Sequence, residues 1–326
     1  MNKKALKRIP LDKFIDLKID YSFKQLFGNE QNNKITIVFL NAILQKTGRD
    51  IVKEVLFINQ ELGGEYEEDK QSRLDIVVIT QSGERINIEM QLANKYNMFK
   101  RTMYYWAKLY EGQMKKGDGY ESLLPTITIN ICAFSLFKDM KNYHSTYHLY
   151  EDSTLERIEK DNDVLEIHFI EMNKFLKAWQ DYLLNPLNDL LARWLLLLGM
   201  VDARKNKVYV DIYKELEELA MKDENLQEAL TVWENMSQTP ETMYAYQSRL
   251  KYMLDEEAKY VDTLAKGKKE GIEIGKEEGI KEGIEHGIRQ VIISLIENGF
   301  TDADIAQMSK QSKEYVQAIR SEMESK

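Results

Sequence analysis

Two alternating apolar triplets on either side of a short glycine-bearing turn constrain this chain more than any other feature. In RLDIVVITQSGERINIEMQ, Leu74, Ile76 and Val78 occupy every second position before the turn, and Ile86, Ile88 and Met90 do so after it. Side chains on a strand point alternately to opposite faces, so burying both triplets on one face sets the register of a hairpin. The pairs are then Leu74 with Met90, Ile76 with Ile88 and Val78 with Ile86, which leaves Gln81, Ser82 and Gly83 as a three-residue loop. Gly83 falls where such loops need a left-handed residue.

The same register decides the other face. Asp75 stands opposite Glu89, with side-chain roots about 5 Å apart, and Gln91 shares the face two residues on. Like charges across a ladder repel, so the pair calls for a cation, a shared proton or an intervening base such as Arg73 or Arg85. Hard carboxylate and water oxygens suit Mg²⁺ or Mn²⁺, ions that activate water and stabilise charge at a phosphorus centre. The competing reading is structural: Asp75 and Glu89 pair with Arg73, Arg85 or Arg101 on a solvated sheet face.

Around the hairpin, apolar spacing predicts helices over Asp20 to Phe27, closed by Gly28, and over Asn32 to Gln45. Ile51 to Asn59 precedes the hairpin as a third antiparallel strand. Tyr96 to Met114 is aromatic-rich at helical spacing, Pro125 to Phe134 reads as a buried strand with proline at its start, and Val164 to Glu171 alternates like another. On the helix after the hairpin, Arg101, Tyr104 and Lys108 share one face, a cation, an aromatic and a cation that suit a phosphate clamp. Tyr105, Trp106, Leu109 and Tyr110 read as core. The fold class expected is α/β, a mixed central sheet flanked by helices over residues 1–172.

From Asn173 onward strands give way to helices, Lys174 to Leu198 and Val208 to Trp233, an extension over residues 173–240. Pro240 introduces a charged helical stretch, residues 241–290, and three short helices follow in a module over residues 291–326: Val291 to Glu297, Asp302 to Ser309 and Lys313 to Glu322. Gly299, Thr301 and Ser312 supply stop and N-cap signals between them. Gly267, Gly271, Gly275, Gly279, Gly283 and Gly287 recur every four residues. Each helical glycine costs about 1 kcal/mol relative to alanine, so such a ladder suits close helix-to-helix approach and a homo-oligomer through the C-terminal helices, or else a solvated linker.

Composition narrows the classes. A single cysteine, Cys132, excludes an internal disulfide framework and fits a reducing compartment, so a cytoplasmic location is expected. The most apolar run, Leu190 to Val201, is too short to span a bilayer and reads as a buried helix. A net charge of −9 argues against indiscriminate coating of nucleic acid, although residues 1–54 lean basic. His144 and His148, four apart, lack the cysteine pair or HExxH that a zinc site would carry, and read as surface histidines near Tyr143 and Tyr147. Ser135 lacks a nucleophile elbow, and Gly63 with Gly64 is no phosphate loop.

The run Arg73 to Gln91 resembles the Rpn family of recombination-promoting nucleases and transposases, a branch of the PD-(D/E)XK nucleases. IDYSFKQLFG at Ile19 to Gly28, KRTMYYWAKLYEGQMKKGDGY at Lys100 to Tyr120, the glycine ladder and the terminal GFTDADIAQMSKQSKEYVQAIR agree with it. The resemblance implies a restriction-endonuclease-like core and a Mg²⁺- or Mn²⁺-dependent endonuclease acting on DNA, in recombination or defence against foreign DNA. By the same resemblance Asp75 is the metal-binding aspartate, Glu89 the second acid, and Gln91 stands where a lysine is usual. Asp20 and Lys24 fall in its first motif, where an acid of the opening helix approaches the metal; the plainer reading makes Asp20 a helix N-cap. The alternative function is a catalytically inactive relative that binds DNA or a partner as a regulator or scaffold. The terminal module resembles a helix-turn-helix, with Lys310, Lys313 and Arg320 as cations for phosphates, against the acids Asp302, Asp304, Glu314 and Glu322; the alternative is a simple cap on a dimer.

Overall fold

A computed structural model describes residues 9–45, 48–58, 61–62, 72–73, 75–93, 97–158 and 163–325. It forms two compact units, Met1–Tyr252 and Met253–Lys326. The first opens with α1 (Asp20–Phe27) and α2 (Asn33–Leu44), followed by β1 (Val55–Phe57) and a small pair, β2 (Glu61–Leu62) and β3 (Ser72–Arg73). Then come β4 (Ile76–Thr80), β5 (Arg85–Gln91), α3 (Met98–Glu111), β6 (Thr126–Cys132), β7 (His144–Tyr147) and β8 (Leu165–Glu171). Six of these strands make one mixed sheet in the order β1-β4-β5-β6-β8-β7.

The expected antiparallel trio is present as β1, β4 and β5. β5, β6 and β8 then run parallel, and α3 is the crossover that parallel pairing of β5 with β6 requires. Strands roofed on both sides need not alternate, and every residue of β6 and β8 is buried. The alternation of Val164 to Glu171 therefore does not set a wet face against a dry one. Its polar residues are buried with partners: Glu166 bonds Arg49 and, at 2.7 Å, His168 Nε2, while His168 Nδ1 meets His144 Nε2 at 2.9 Å. His144, the first residue of β7, and His148, just after that strand, are half-buried, not surface histidines. β7 was not anticipated because HSTY is short and polar, as an edge strand can be.

The hairpin register is the expected one, Ile76 with Ile88 and Val78 with Ile86. Leu74 lies outside the described residues, and so does its pairing with Met90. Gly83 closes the loop at φ +85°, in the left-handed region. Val77 packs on Tyr105 and Leu109 of α3, while Ile76 on the opposite face meets the end of α1 at Gly28. Both faces of the hairpin are therefore covered.

Beyond the sheet, α4 (Met172–Gln180) and α5 (Leu190–Gly199) are followed by β9 (Val201–Asp202) and β10 (Lys207–Val208), a two-residue ladder. α6 (Val210–Ala220) and α7 (Glu224–Gln238) complete the set. These helices share a core with α1 and α2. Trp194 of α5 meets Phe27 and Phe39 at ring distances of 6.1 and 6.0 Å, and Trp233 of α7 packs on Phe14 and donates Nε1–H to the Ile15 carbonyl at 2.9 Å. The apolar run from Leu190 is the buried helix expected. The buried Lys18 ammonium bridges Asp16, at 2.8 Å, to the carbonyls of Leu198 and Val201, tying the chain before α1 to the end of α5. No helix among the described residues is long and apolar enough to cross a membrane.

α8 (Pro240–Glu297) is one continuous helix; no break separates a stalk from Val291, since neither glycine nor proline occurs between Gly287 and Gly299. In the second unit Ile292 of α8 packs with Ile305 of α9 (Asp302–Ser309) and with Val316 and Ile319 of α10 (Lys313–Glu324). Thr301 and Ser312 cap α9 and α10 through Asp304 N and Tyr315 N, and Gly299 turns at φ +81°. Arg320 is committed to Asp302 at 2.8 Å. The ladder glycines lie within α8, exposed, with open space where a Cβ would stand.

Candidate active site

The pairing of Ile76 with Ile88 carries one step further to Asp75 and Glu89, and the two residues are stitched together there. Asp75 N donates to Glu89 Oε1 at 3.3 Å, and Met90 N donates to Asp75 Oδ2 at 2.9 Å. Gln91 Nε2 donates to Glu89 Oε2 at 3.1 Å, and Asn87 Nδ2 reaches Oε1 at 3.5 Å. α3 starts just after the hairpin, capped by Asn97, whose side chain accepts from Lys100 N, and this start lowers Arg101 onto the pair. Arg101 Nη2 donates to Glu89 Oε2 at 3.2 Å and Nη1 to Gln91 Oε1 at 3.0 Å, with the guanidinium over the Tyr105 ring. From the other side, Lys24 of α1 reaches Asp75 Oδ1 at 3.3 Å.

The centre is dry. Glu89 is 1% exposed and Asn87 fully buried, so the solvated sheet face of the structural alternative is absent, although its pairing of Glu89 with Arg101 is present. Arg85 instead donates to the Leu109 carbonyl at 3.2 Å, and the Arg73 side chain lies outside the described residues. Burial, reinforced by the charge of Asp75, pushes the Glu89 carboxyl up to about 8, and Arg101 offsets only part of this. Burial also raises Asp75, against the opposing pull of Lys24. Two acids this close and this dry favour a shared proton or a bound cation over two free charges.

Three buried polar atoms of this face have no partner among the described residues: Asn87 Oδ1, Thr128 Oγ1 and Arg101 Nε. Thr128 pairs with Asn87 in the β5–β6 ladder, so two of the three are neighbours beside Glu89. Orphaned polar atoms of this kind mark a place where something else completes the bonding. An all-oxygen donor set of two carboxylates with amide and hydroxyl oxygens nearby fits Mg²⁺ or Mn²⁺, which take one or two carboxylates and fill the remaining positions with water and phosphate. Among the described residues no group of three or more His, Cys, Asp or Glu side chains converges.

Asp20 acts on Asp75 through its charge, but its carboxylate is engaged elsewhere. It is the first helical residue of α1, with Ile19 at the N-cap position, and its carboxylate accepts from Arg249 of α8: Nε at 2.8 and 2.9 Å from Oδ1 and Oδ2, Nη2 at 2.6 Å from Oδ2. Of the clamp expected on α3, Arg101 faces the acids, whereas Tyr104 and Lys108 are exposed, Tyr104 against the ring of Tyr105. Asn87 was overlooked, although alternation alone puts it on the face of Glu89. Arg249 carried no local signal, since 229 residues separate it from Asp20.

Comparison with curated proteins and with solved structures returned no match. A family described as PD-(D/E)XK nuclease family transposase matches residues 17–263, which take in the mixed sheet, the Asp75–Glu89 hairpin, α1 with Lys24, and Arg249. With that match spanning well over half of the chain, and with an α/β fold of the corresponding kind, the chain belongs to the PD-(D/E)XK nuclease family of transposases.

Proposed function

We propose that this protein is a divalent-metal-dependent endodeoxyribonuclease that hydrolyses phosphodiester bonds in DNA, serving recombination or defence against foreign DNA. The observation that carries this reading is the Asp75–Glu89 pair, buried Glu89 on β5 and the largely enclosed Asp75 just before β4, bordered by Gln91, Lys24 and Arg101. Asp75 and Glu89 are the residues to hold Mg²⁺ or Mn²⁺, with the neighbouring Asn87 oxygen as a supporting group. Such an ion supplies Lewis acidity and lowers the pKa of water. Gln91 orients the attacking water by its amide. The positive charge that glutamine lacks at this position is brought by Arg101, whose guanidinium holds Gln91 and Glu89 together. Lys24 contributes a second cation toward a phosphate.

Purified protein and supercoiled plasmid test the reading. Nicking is expected with Mg²⁺ or Mn²⁺ and its loss in Asp75→Ala; absence of nicking by the wild type at every pH tried, or equal nicking by D75A, would sink it. A second reading, an inactive nuclease fold that binds DNA or a partner as a regulator, draws its support from Gln91 in place of lysine and from the engagement of Asp20 by Arg249. We place the protein in the cytoplasm, on the strength of its lone, buried Cys132. Self-association is proposed through the exposed glycine ladder of α8, where helices can approach closely. A chain truncated after Lys266 should show a smaller oligomer by light scattering; unchanged mass would remove α8 as the assembly element.

A further inference from the structure

We propose that Arg249 is a DNA-phosphate-binding residue of the Asp75–Glu89 centre, and that Asp20 is its brace rather than a metal ligand. This rests on the nuclease reading above. Asp20 is held at the start of α1, its own Oδ1 accepting from Tyr21 N at 2.8 Å. It grips Arg249 through Nε and Nη2. A guanidinium has five N–H donors in a planar fork, and one carboxylate occupies only one edge of it. Among the described residues Nη1 has no bonded partner, and the side chain is 42% exposed over the ring of Tyr252 at 5.1 Å. A fork fixed along one edge by a carboxylate and from below by a ring, on a side chain partly open to solvent, has the form of a preorganised phosphate receptor.

Its position is right for this centre. Lys24 stands one turn beyond Asp20 on α1 and binds Asp75, so Lys24 and the carboxylate that holds Arg249 stand on the same helix beside the acids. Asp20 first, with Tyr252 and Asp75 adding smaller shares, holds the Arg249 guanidinium above its ordinary basicity, in keeping with its place beside the centre. A chain with a net charge of −9 needs local cations to receive a polyanion. Lys24, Arg101 and Arg249 form such a set, drawn from α1, α3 and α8. The family match reaches residue 263 and so includes this part of α8.

Binding of a fluorescein-labelled DNA duplex, followed by anisotropy with Ca²⁺ in place of Mg²⁺ and over a range of salt, separates the possibilities. R249A and R249Q are expected to bind about tenfold more weakly near 0.1 M salt, and to lower the slope of log K against log salt by about 0.9, the signature of one lost phosphate contact. D20N should weaken binding less, leave R249Q/D20N no weaker than R249Q, and leave Mn²⁺ affinity by calorimetry unchanged. Unaltered affinity and slope in both Arg249 variants would overturn the proposal. So would tighter binding, which would make Arg249 a plug on Asp20, or loss of Mn²⁺ binding in D20N, which would make Asp20 a ligand. A wild type that binds duplex without cutting it defeats the nuclease reading alone, because the Arg249 signature is still read in binding. A wild type that binds no duplex defeats both.

Discussion

Replacing Glu89 by glutamine offers a direct test of the electrostatics of the centre, through stability rather than activity. The Glu89 carboxyl goes from an ordinary 4.5 to about 8 in the folded chain, driven first by burial and then by Asp75. Below 4.5 the folded and unfolded chains are both protonated at this position, and the stability linked to the proton is fully present. Between 4.5 and about 8 the unfolded chain ionises while the folded one keeps its proton, so this stability is lost progressively as pH rises. At about 1.4 kcal/mol per pKa unit, the loss is on the order of 3 kcal/mol by neutral pH. The side chain is 2% exposed, so solvent screening does not dilute it.

E89Q removes the ionisation and keeps the shape. Its amide nitrogen carries two N–H donors where the protonated acid carries one, and Asn87 supplies an acceptor for one of them by turning its own amide so that the orphaned Oδ1 faces residue 89. Urea denaturation of the metal-free protein at a series of pH values is the assay. Wild type and E89Q should match near pH 5, and E89Q should be the more stable near pH 8, by on the order of 3 kcal/mol. Adding Mg²⁺ near pH 8 should stabilise wild type and leave E89Q nearly unmoved, because the ion binds the ionised pair. If E89Q is no more stable than wild type near pH 8, the carboxyl is not held protonated there and the account of the pair is wrong.

Other residues give sharper single outcomes. R101Q removes the cation shared by Glu89 and Gln91, and plasmid nicking should fall by about a hundredfold or more while Mn²⁺ binding survives; full activity would show that Arg101 is not the substitute for the missing lysine. G83A forces a Cβ onto a backbone at φ +85° beside Leu124 and should cost about 1–2 kcal/mol in urea titrations, whereas no cost would mean that the loop relaxes freely. W194A opens a cavity between Phe27 and Phe39 and should cost about 3–5 kcal/mol. The same titration should report the loss of α1 and α2 and of the α4–α7 helices together, since they share that core; separate transitions would contradict it.

Periodicity and turn chemistry alone were enough for the hairpin. The two triplets, the QSG loop and the left-handed Gly83 determine the register, and the register determines that Asp75 and Glu89 face one another. The buried helix at Leu190 and the caps at Thr301 and Ser312 were equally legible, because burial and capping are satisfied by residues close in the chain. β7 escaped because a short polar edge strand has no periodic signature. The absence of a break near residue 290 escaped because propensity weighs each glycine, while a helix is broken only where a residue stops it.

What tertiary structure alone decided is the environment of the acids. Whether the Asp75–Glu89 face is wet or dry depends on α3 lying over it, and whether Asp20 joins the acids depends on an arginine 229 residues away. Neither follows from local pattern, because burial and charge are summed over everything that packs nearby, whatever its distance along the chain. The hairpin places two carboxylates within reach of one another; the helices from elsewhere in the chain set their charge and the cations around them.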